Sequence, residues 1–419
     1  MTDTFPRQYA RTQRLTLGEP RTITVSPDGK RVLFLRSTNG TDTVQSLWLL
    51  HVERNTEVCI ADVRELLAAS EGHTESAEEQ ARRERAREGA GGIVQYSCDA
   101  EVQHVAFAVA GHLFVCDMQH ANEIVIKSPA SGTIYDARIS PDGQHVAYVR
   151  DRSLYMCDLQ GVERCLASEE SPDVTWGIAE FVAAEEMNRQ RGFWWAPDSS
   201  ALAVERADHS PIQSISIADP AKPTSNPSSR RYPFAGTANA LVSLHLVAIN
   251  GNRTAVTWDS LAFEYLTSVQ WNKHGLVISV MSRDQRILDI RAVDISSGQT
   301  NSLHTEHDEC WVELVVGGPS LLEKDLLMWC GERNGVRAIV VNNDVITPSH
   351  LQVRSIVRAS HDNIIFSANN VQRPQELHVF SVQISGGEVT QLSDGIGIHS
   401  ATVGGETTVL RSATLETRR

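Results

Sequence analysis

No apolar stretch in this 419-residue chain approaches the roughly 18 residues a membrane span needs. The opening MTDTFPRQYARTQRL lacks the apolar run of a signal peptide. The basic surplus of a nucleic-acid surface is missing as well: 38 lysines and arginines stand against 52 aspartates and glutamates, a net charge of −14. Seven cysteines, at 59, 98, 116, 157, 165, 310 and 330, include no Cys-x-x-Cys, and their number is odd. No His, Asp and Glu cluster has metal-ligand spacing. These absences predict a cytoplasmic protein with reduced, mostly buried thiols, no membrane span, no nucleic-acid partner, no metal and no cofactor.

A length of 419 residues is too great for one ordinary core, and repeats resolve the difficulty because each unit packs on the next. Val25-Ser26-Pro27-Asp28-Gly29-Lys30 leads into the apolar run Arg31-Val32-Leu33-Phe34-Leu35-Arg36. The phrase returns at 139–150, in worn form at 195–206, and more faintly at 269–280. Proline presets φ for a turn, Asp and Gly accept the following positions, and the β-branched run after it has strand composition. A second phrase, His112-Leu113-Phe114-Val115-Cys116-Asp117, matches Ser153-Leu154-Tyr155-Met156-Cys157-Asp158, with further copies at 46–52, 290–294 and 376–382. Short strands at this spacing predict an all-β fold. A propeller suits it better than stacked sandwiches, whose sheets would leave long exposed edges.

Two segments break the pattern. Residues 75–88, ESAEEQARRERARE, predict a helix: Ser76 and Glu79 have capping-box spacing, Glu78–Arg82 and Glu79–Arg83 are favourable i,i+4 pairs, and Gly89, Gly91 and Gly92 end it. Residues 178–189 predict a second short helix before the aromatic strand Gly192-Phe193-Trp194-Trp195. The chain therefore reads as a propeller over 1–419 with two short helical insertions. Residues 219–230 read as a Pro/Ser-rich surface excursion, and 312–324 and 341–352 yield no strand assignment.

At 178–198 the residues become specific. Glu185-Glu186 on a short helix, followed by Trp194-Trp195-Ala196-Pro197, resembles the double-glutamate motif of the dipeptidyl peptidase IV family. Arg83 to Gly89, leading to Gly92-Ile93, resembles the arginine-bearing helix of that family's cytosolic dipeptidyl peptidase 8/9 branch and its bacterial relatives. Tyr232-Pro233-Phe234-Ala235-Gly236-Thr237-Ala238-Asn239 is similar to a further family stretch, and Glu264-Tyr265-Leu266, Ser282-Arg283-Asp284-Gln285 and Gly397-Ile398-His399 fit later landmarks.

The resemblance implies eight blades and a part in releasing N-terminal Xaa-Pro dipeptides. It implies that Glu185 and Glu186 hold the protonated amine of a peptide substrate, and that Arg87 holds its carbonyls. The amine chemistry is sensible on its own terms, since an ammonium has three donors to satisfy and two adjacent carboxylates supply charge-assisted acceptors. The bland alternatives are a solvated acidic helix end for the pair, a solvated salt-bridged helix for Arg87, and blade core for Trp194 and Trp195.

The family's nucleophile lies on a Gly-x-Ser-x-Gly turn in an α/β-hydrolase domain, and no such sequence occurs here. The expectation is a propeller without catalytic residues, inactive alone. Its partners would be a peptide with a free N-terminus and a hydrolase domain in the same or another chain, with a homodimer through that domain left open. A free-standing propeller that binds proteins or peptides is the alternative.

Overall fold

The computed structural model describes residues 4–68, 89, 91–118, 123–127, 133–323 and 325–415. Its contacts divide the chain into two compact units, Met1–Tyr148 with Met156–Glu163 and Glu313–Arg419, and Val149–Tyr155 with Arg164–Val312.

Among the described residues, seven antiparallel four-stranded up-and-down meanders follow one another along the chain, three of them joined by further short strands. Blade 1 runs Arg21–Val25, Arg31–Ser37, Val44–His51 and Thr56–Ala61. Blades 2 and 3 begin at Ser97–Cys98 and Tyr135–Ile139. Blade 4 comprises an inner strand in two pieces, Val174–Trp176 and Phe193–Trp195, then Ala201–Asp208, Leu241–Ala248 and Arg253–Val256. Blades 5, 6 and 7 begin at Tyr265–Asn272, Ser320–Glu323 and Leu351–Ala359. A two-stranded hairpin, Ile398–Gly404 with Thr407–Ala413, follows blade 7. The second sequence phrase is the third strand of blades 1, 2, 3, 5 and 7 in turn.

The turn phrase folds as its chemistry requires. Ser26 N–H donates to Arg31 O at 2.9 Å and Gly29 N–H to Ser26 O at 2.8 Å. Ser140 and Gly143 make the same pair of bonds at 2.7 and 2.9 Å, and Ala196 and Ser199 at 2.8 and 2.9 Å. Ser26 and Ser140 also donate their hydroxyls to Asp28 and Asp142 at 2.5 Å, and each Asp accepts the backbone N–H two residues on. Gly29 and Gly143 take φ of +71° and +73°, a region costly for residues with a Cβ. The fainter copy at 269–280 is the Asn272–Gly275 hairpin of blade 5.

Each unit has its own aliphatic cores. Leu33, Leu35 and Leu47 of blade 1 pack with Phe107 and Phe114 of blade 2, and Trp194, Ala203 and Leu244 of blade 4 pack with Leu266 and Ile278 of blade 5. A fully buried side chain of this size contributes about 1.5–3 kcal/mol, so these cores are what make the repeats cohere.

The helix expected over 75–88, with Arg87, lies outside the described residues. The helix expected over 178–189 is confined to Phe181–Glu186, because Ile178 and Arg191 pair across its flanks as a β-bridge. Beyond it the described residues hold two unforeseen helices, Phe5–Arg11 started by Pro6 and Val63–Ala68 started by Asp62, whose carboxylate accepts from Arg64 N–H at 2.9 Å. None of the seven cysteines forms a disulfide; Cys116 and Cys157 are buried, Cys59, Cys98 and Cys330 partly so, and Cys165 and Cys310 are exposed. Burial pushes the Cys98, Cys116 and Cys330 thiols up to about 12, which keeps them protonated and inert.

Candidate functional site

Blade 4 departs from the plain meander at two points: the hairpin Ser214–Ile217 with Ser228–Arg231 stands between its second and third strands, and its inner strand is interrupted. Val174–Trp176 pairs with Arg206–Asp208 of the second strand, and Phe193–Trp195 pairs with Leu202–Val204 of the same strand. Residues 177–192 leave the sheet between these pairings, and only Glu205 faces the gap. Its backbone closes the gap on both sides: Gly177 N–H donates to Glu205 O at 2.9 Å, and Glu205 N–H donates to Gly192 O at 2.8 Å. The neck is so narrow that a Cβ on Gly192 would meet Gly177 C and Ile178 N at 2.3 Å.

The extruded loop carries the helix Phe181–Glu186. Glu180 is its N-cap, and its carboxylate accepts from Val182 N–H at 2.7 Å and Ala183 N–H at 2.6 Å. The helix ends where Asn188 enters the left-handed region at φ +52° and Arg189 N–H returns to Ala183 O at 3.0 Å. Gln190 Nε2 satisfies Ala184 O at 2.7 Å. Both ends of so short a helix are thus capped, which it needs, since six residues cannot hold themselves helical in water.

Beneath the helix lies a buried charge network. Glu205 is fully buried, Glu180 and Arg189 nearly so. The Glu205 carboxylate accepts from Glu180 N–H at 2.9 Å and from Arg189 Nη1. Arg189 donates further to Leu266 O at 2.9 Å and Arg191 O at 2.8 Å, and its guanidinium stands 5.9 Å from the Trp194 ring. Burial pushes the Glu205 carboxyl up, and the Arg189 guanidinium opposes that shift. Trp194 and Trp195, each 8% exposed, are blade core.

Glu185 and Glu186 sit on the last turn of the helix, and both are exposed. Beside them Phe181 packs edge-on against Tyr232 at 5.1 Å, and Tyr232 against Phe234 at 4.9 Å. The landmarks at 232–239, 264–266 and 282–285 fall in the same unit and contact one another. Asn239 Nδ2 donates to Glu264 Oε2 at 3.0 Å and to the Tyr265 hydroxyl at 3.1 Å, while Arg283 reaches Glu264 Oε2 at 3.1 Å and Thr237 O. Of the expected site residues the structure describes Glu185 and Glu186, neighbours in sequence on the exposed helix end, while Arg87 lies outside the described residues. His399 is buried, stacked on His378 at 4.9 Å and bonded to Ser412 at 2.7 Å. No group of three or more His, Cys, Asp or Glu able to hold a metal occurs among the described residues.

Glu180, Arg189 and Glu205 are the residues that motif reading passes over. A sequence signal for Glu205 did exist. Aligning the hairpins 26–36, 140–150 and 196–206 puts Leu35 and Val149 at its position, and both are buried. A glutamate where two copies of the repeat hold an aliphatic core residue announces a partner of its own.

The chain matches the family model described as "Dipeptidyl peptidase IV (DPP IV) N-terminal region" over residues 93–412. It belongs to this family. Among curated relatives of the dipeptidyl peptidase type, dipeptidyl peptidase 8 of Mus musculus is 32% identical over 93 residues, 20% of this chain and 10% of that one. A putative dipeptidyl aminopeptidase of Schizosaccharomyces pombe is 25% identical over 232 residues, 51% of this chain and 29% of the relative. The solved structure of Porphyromonas gingivalis dipeptidyl peptidase 4 superposes with a TM-score of 0.74 at 17% identity, covering 98% of this chain and 58% of that chain. That likeness gives the fold: an all-β propeller, with seven four-stranded blades here where the resemblance implied eight. This dipeptidyl peptidase IV-type chain thus spans well under two thirds of the length of the relatives it matches. No helix among its described residues is long and apolar enough to cross a membrane.

Proposed function

We propose that this chain is the substrate-anchoring propeller of a cytoplasmic dipeptidyl aminopeptidase of the serine type, in which Glu185 and Glu186 bind the protonated N-terminus of a peptide and Arg87 its carbonyls. The observation that carries this reading is the contrast at the loop 177–192: two exposed, adjacent carboxylates end a helix whose own ends are pinned by buried groups. Exposed acids on a helix end need no such foundation for solubility. An ammonium offers three donors to the pair, each charge-assisted bond contributing about 1.5–3 kcal/mol where water is excluded. The carbonyl end of the helix adds a small negative potential of the same sign. Bond cleavage would fall to an α/β-hydrolase domain, because this sequence holds no Gly-x-Ser-x-Gly. The hairpin Ile398–Gly404 with Thr407–Ala413 is read as half of an eighth blade.

Calorimetric titration with Ala-Pro and with N-acetyl-Ala-Pro tests the reading. The free-amine dipeptide binds more tightly, and Glu185→Gln or Glu186→Gln removes that preference. The loss is about three- to tenfold in the chain alone, where solvent screens the pair. It rises to the order of 2–4 kcal/mol where a hydrolase domain closes over the site. Equal affinity for the two dipeptides would sink the proposal.

A further inference from the structure

We propose that Glu205 is a positioning residue for the Glu185–Glu186 pair, a single buried group that locks both ends of the loop bearing them. The inference rests on the amine-anchor reading for its functional consequence, and on geometry alone for the lock. Four bonds make that lock. Through its backbone, residue 205 holds Gly177 and Gly192, the two sides of the neck, at 2.9 and 2.8 Å. Through its carboxylate it holds Glu180 N–H, where the helix begins, at 2.9 Å, and Arg189, three residues after the helix ends. The backbone bonds would form with any residue at 205. The two side-chain bonds need an acceptor, and an aliphatic residue supplies none.

The blade itself does not ask for a charge here. Leu35 and Val149 fill the equivalent position of two other hairpins and are fully or almost fully buried. A buried carboxylate paired with arginine is at best neutral for stability beside well-packed apolar residues of similar volume. What it adds over leucine is direction: the N-cap residue and the arginine after the C-cap are tied to one point. Arg189 passes the tie onward to blade 5 through Leu266 O. The Nη2 of Arg189 is buried and finds no hydrogen-bond acceptor among the described residues, so the guanidinium relies on its remaining bonds and on Glu205 for its charge.

The test separates position from stability. In Glu205→Gln the N-cap bond survives and the ion pair is lost. In the double variant Glu205→Leu with Arg189→Met, the repeat's aliphatic residue is restored and no buried charge is stranded. Two readouts are taken on the full chain: hydrogen exchange of the amides of 180–190, and the affinity ratio for Ala-Pro over N-acetyl-Ala-Pro. The expectation for the double variant is an unfolding midpoint close to that of the parent, at least tenfold faster exchange in the loop with blade strands unchanged, and a preference for the free amine reduced at least threefold. Loop exchange that stays at the parent rate in the folded double variant overturns the proposal, and so does faster exchange with the amine preference intact. If the parent shows no amine preference, the anchor reading fails while loop exchange still decides whether Glu205 is the lock. Should the double variant not fold, Glu205→Gln is judged by the same exchange criterion.

Discussion

In blade 1 the inner strand Arg21–Val25 passes its partner with one irregularity: Arg21 faces Leu35, Thr24 faces Leu33, and Thr22 and Ile23 share the space opposite Phe34. Thr22 takes φ +52° to make room, as a β-bulge does. In blade 4 the equivalent strand admits the whole segment 177–192 and still resumes in register on both sides. The two blades share a hairpin turn and differ in what faces the inserted chain. A bulge of one residue closes on an apolar partner, since its backbone groups reach solvent or neighbours unaided. A loop with its own helix brings unpaired N–H groups into the sheet, and those need a buried acceptor. Insertion in a propeller blade is thus cheap for one residue and requires dedicated polar chemistry for many.

Exchanging the two arrangements is the harshest way to break the comparison. Leu35→Glu places in blade 1 the residue that blade 4 uses, without an arginine or a capped helix to receive it. A carboxylate at a site of zero exposure costs more than about 4 kcal/mol, and urea unfolding should show it or the variant should not fold. Gly192→Val attacks blade 4 instead. Its Cβ would lie 2.3 Å from the backbone of Gly177 and Ile178, so the neck must open, at a cost of about 3 kcal/mol or more. Gly29→Ala in blade 1 is the matched control. The φ of +71° and a Cβ 2.9 Å from Thr407 Oγ1, a side-chain atom rather than backbone, put its cost at about 1–2 kcal/mol. If Gly192→Val is as mild as Gly29→Ala, the neck is not a constraint.

Acid sharpens the contrast further. In blade 4 and the segment just after its second strand, burial holds His245 and His209 below the ordinary imidazole range, with Arg206 and Arg253 adding to the effect at His245 and Arg231 at His209. A histidine lowered on folding contributes stability above its unfolded pKa of about 6.5, and that contribution is lost as pH falls below it. Before the third strand of blade 1, Asp42 sits at about 2: burial alone would raise it, but hydrogen bonds from Thr38, Val44 N–H and Arg64 outweigh that. Its contribution is present above about 3.9 and lost only as pH falls toward 2. Between pH 7 and 5, amide protection measured against the intrinsic exchange rate at each pH should therefore fall in blade 4 before blade 1. Simultaneous loosening, or blade 1 first, contradicts the assignment.

Where the sequence was legible, the chemistry was local. The Ser-Pro-Asp-Gly turns name their own geometry, so the hairpins at 26–36 and 140–150 could be read from the residues. Blade 6 lacks that phrase. Its first and last strands, Ser320–Glu323 and Asp344–Val345, are short, and neither the turn nor the alternation needed to find them is present. Glu185 and Glu186 are marked as candidates by their Trp194–Trp195 context. The buried acceptor beneath their loop is not, because Glu205 acts on a residue 25 positions upstream and no local pattern records that. Only the comparison of repeats, with Leu35 and Val149 against Glu205, carries the information. The expected length of the helix over 178–189 failed for a similar reason, since the Ile178–Arg191 bridge that trims it is a contact between the loop's two ends.

The smallest expected effect on stability is the most informative about function. Glu185→Gln and Glu186→Gln change exposed carboxylates at the end of a capped helix, and surface substitutions of this kind stay within about 0.5 kcal/mol. The cap at Glu180, the ion pair at Arg189 and the neck at Gly192 are untouched, so loop exchange should match the parent. Amine preference should nevertheless fall, by about three- to tenfold in the chain alone. This is the reverse of the Glu205 variants, which alter the loop first and binding through it. A Gln variant that loosens the loop would place Glu185 or Glu186 within the lock. A Gln variant that changes neither exchange nor amine preference would leave the two acids as solvated surface, however well the loop beneath them is held.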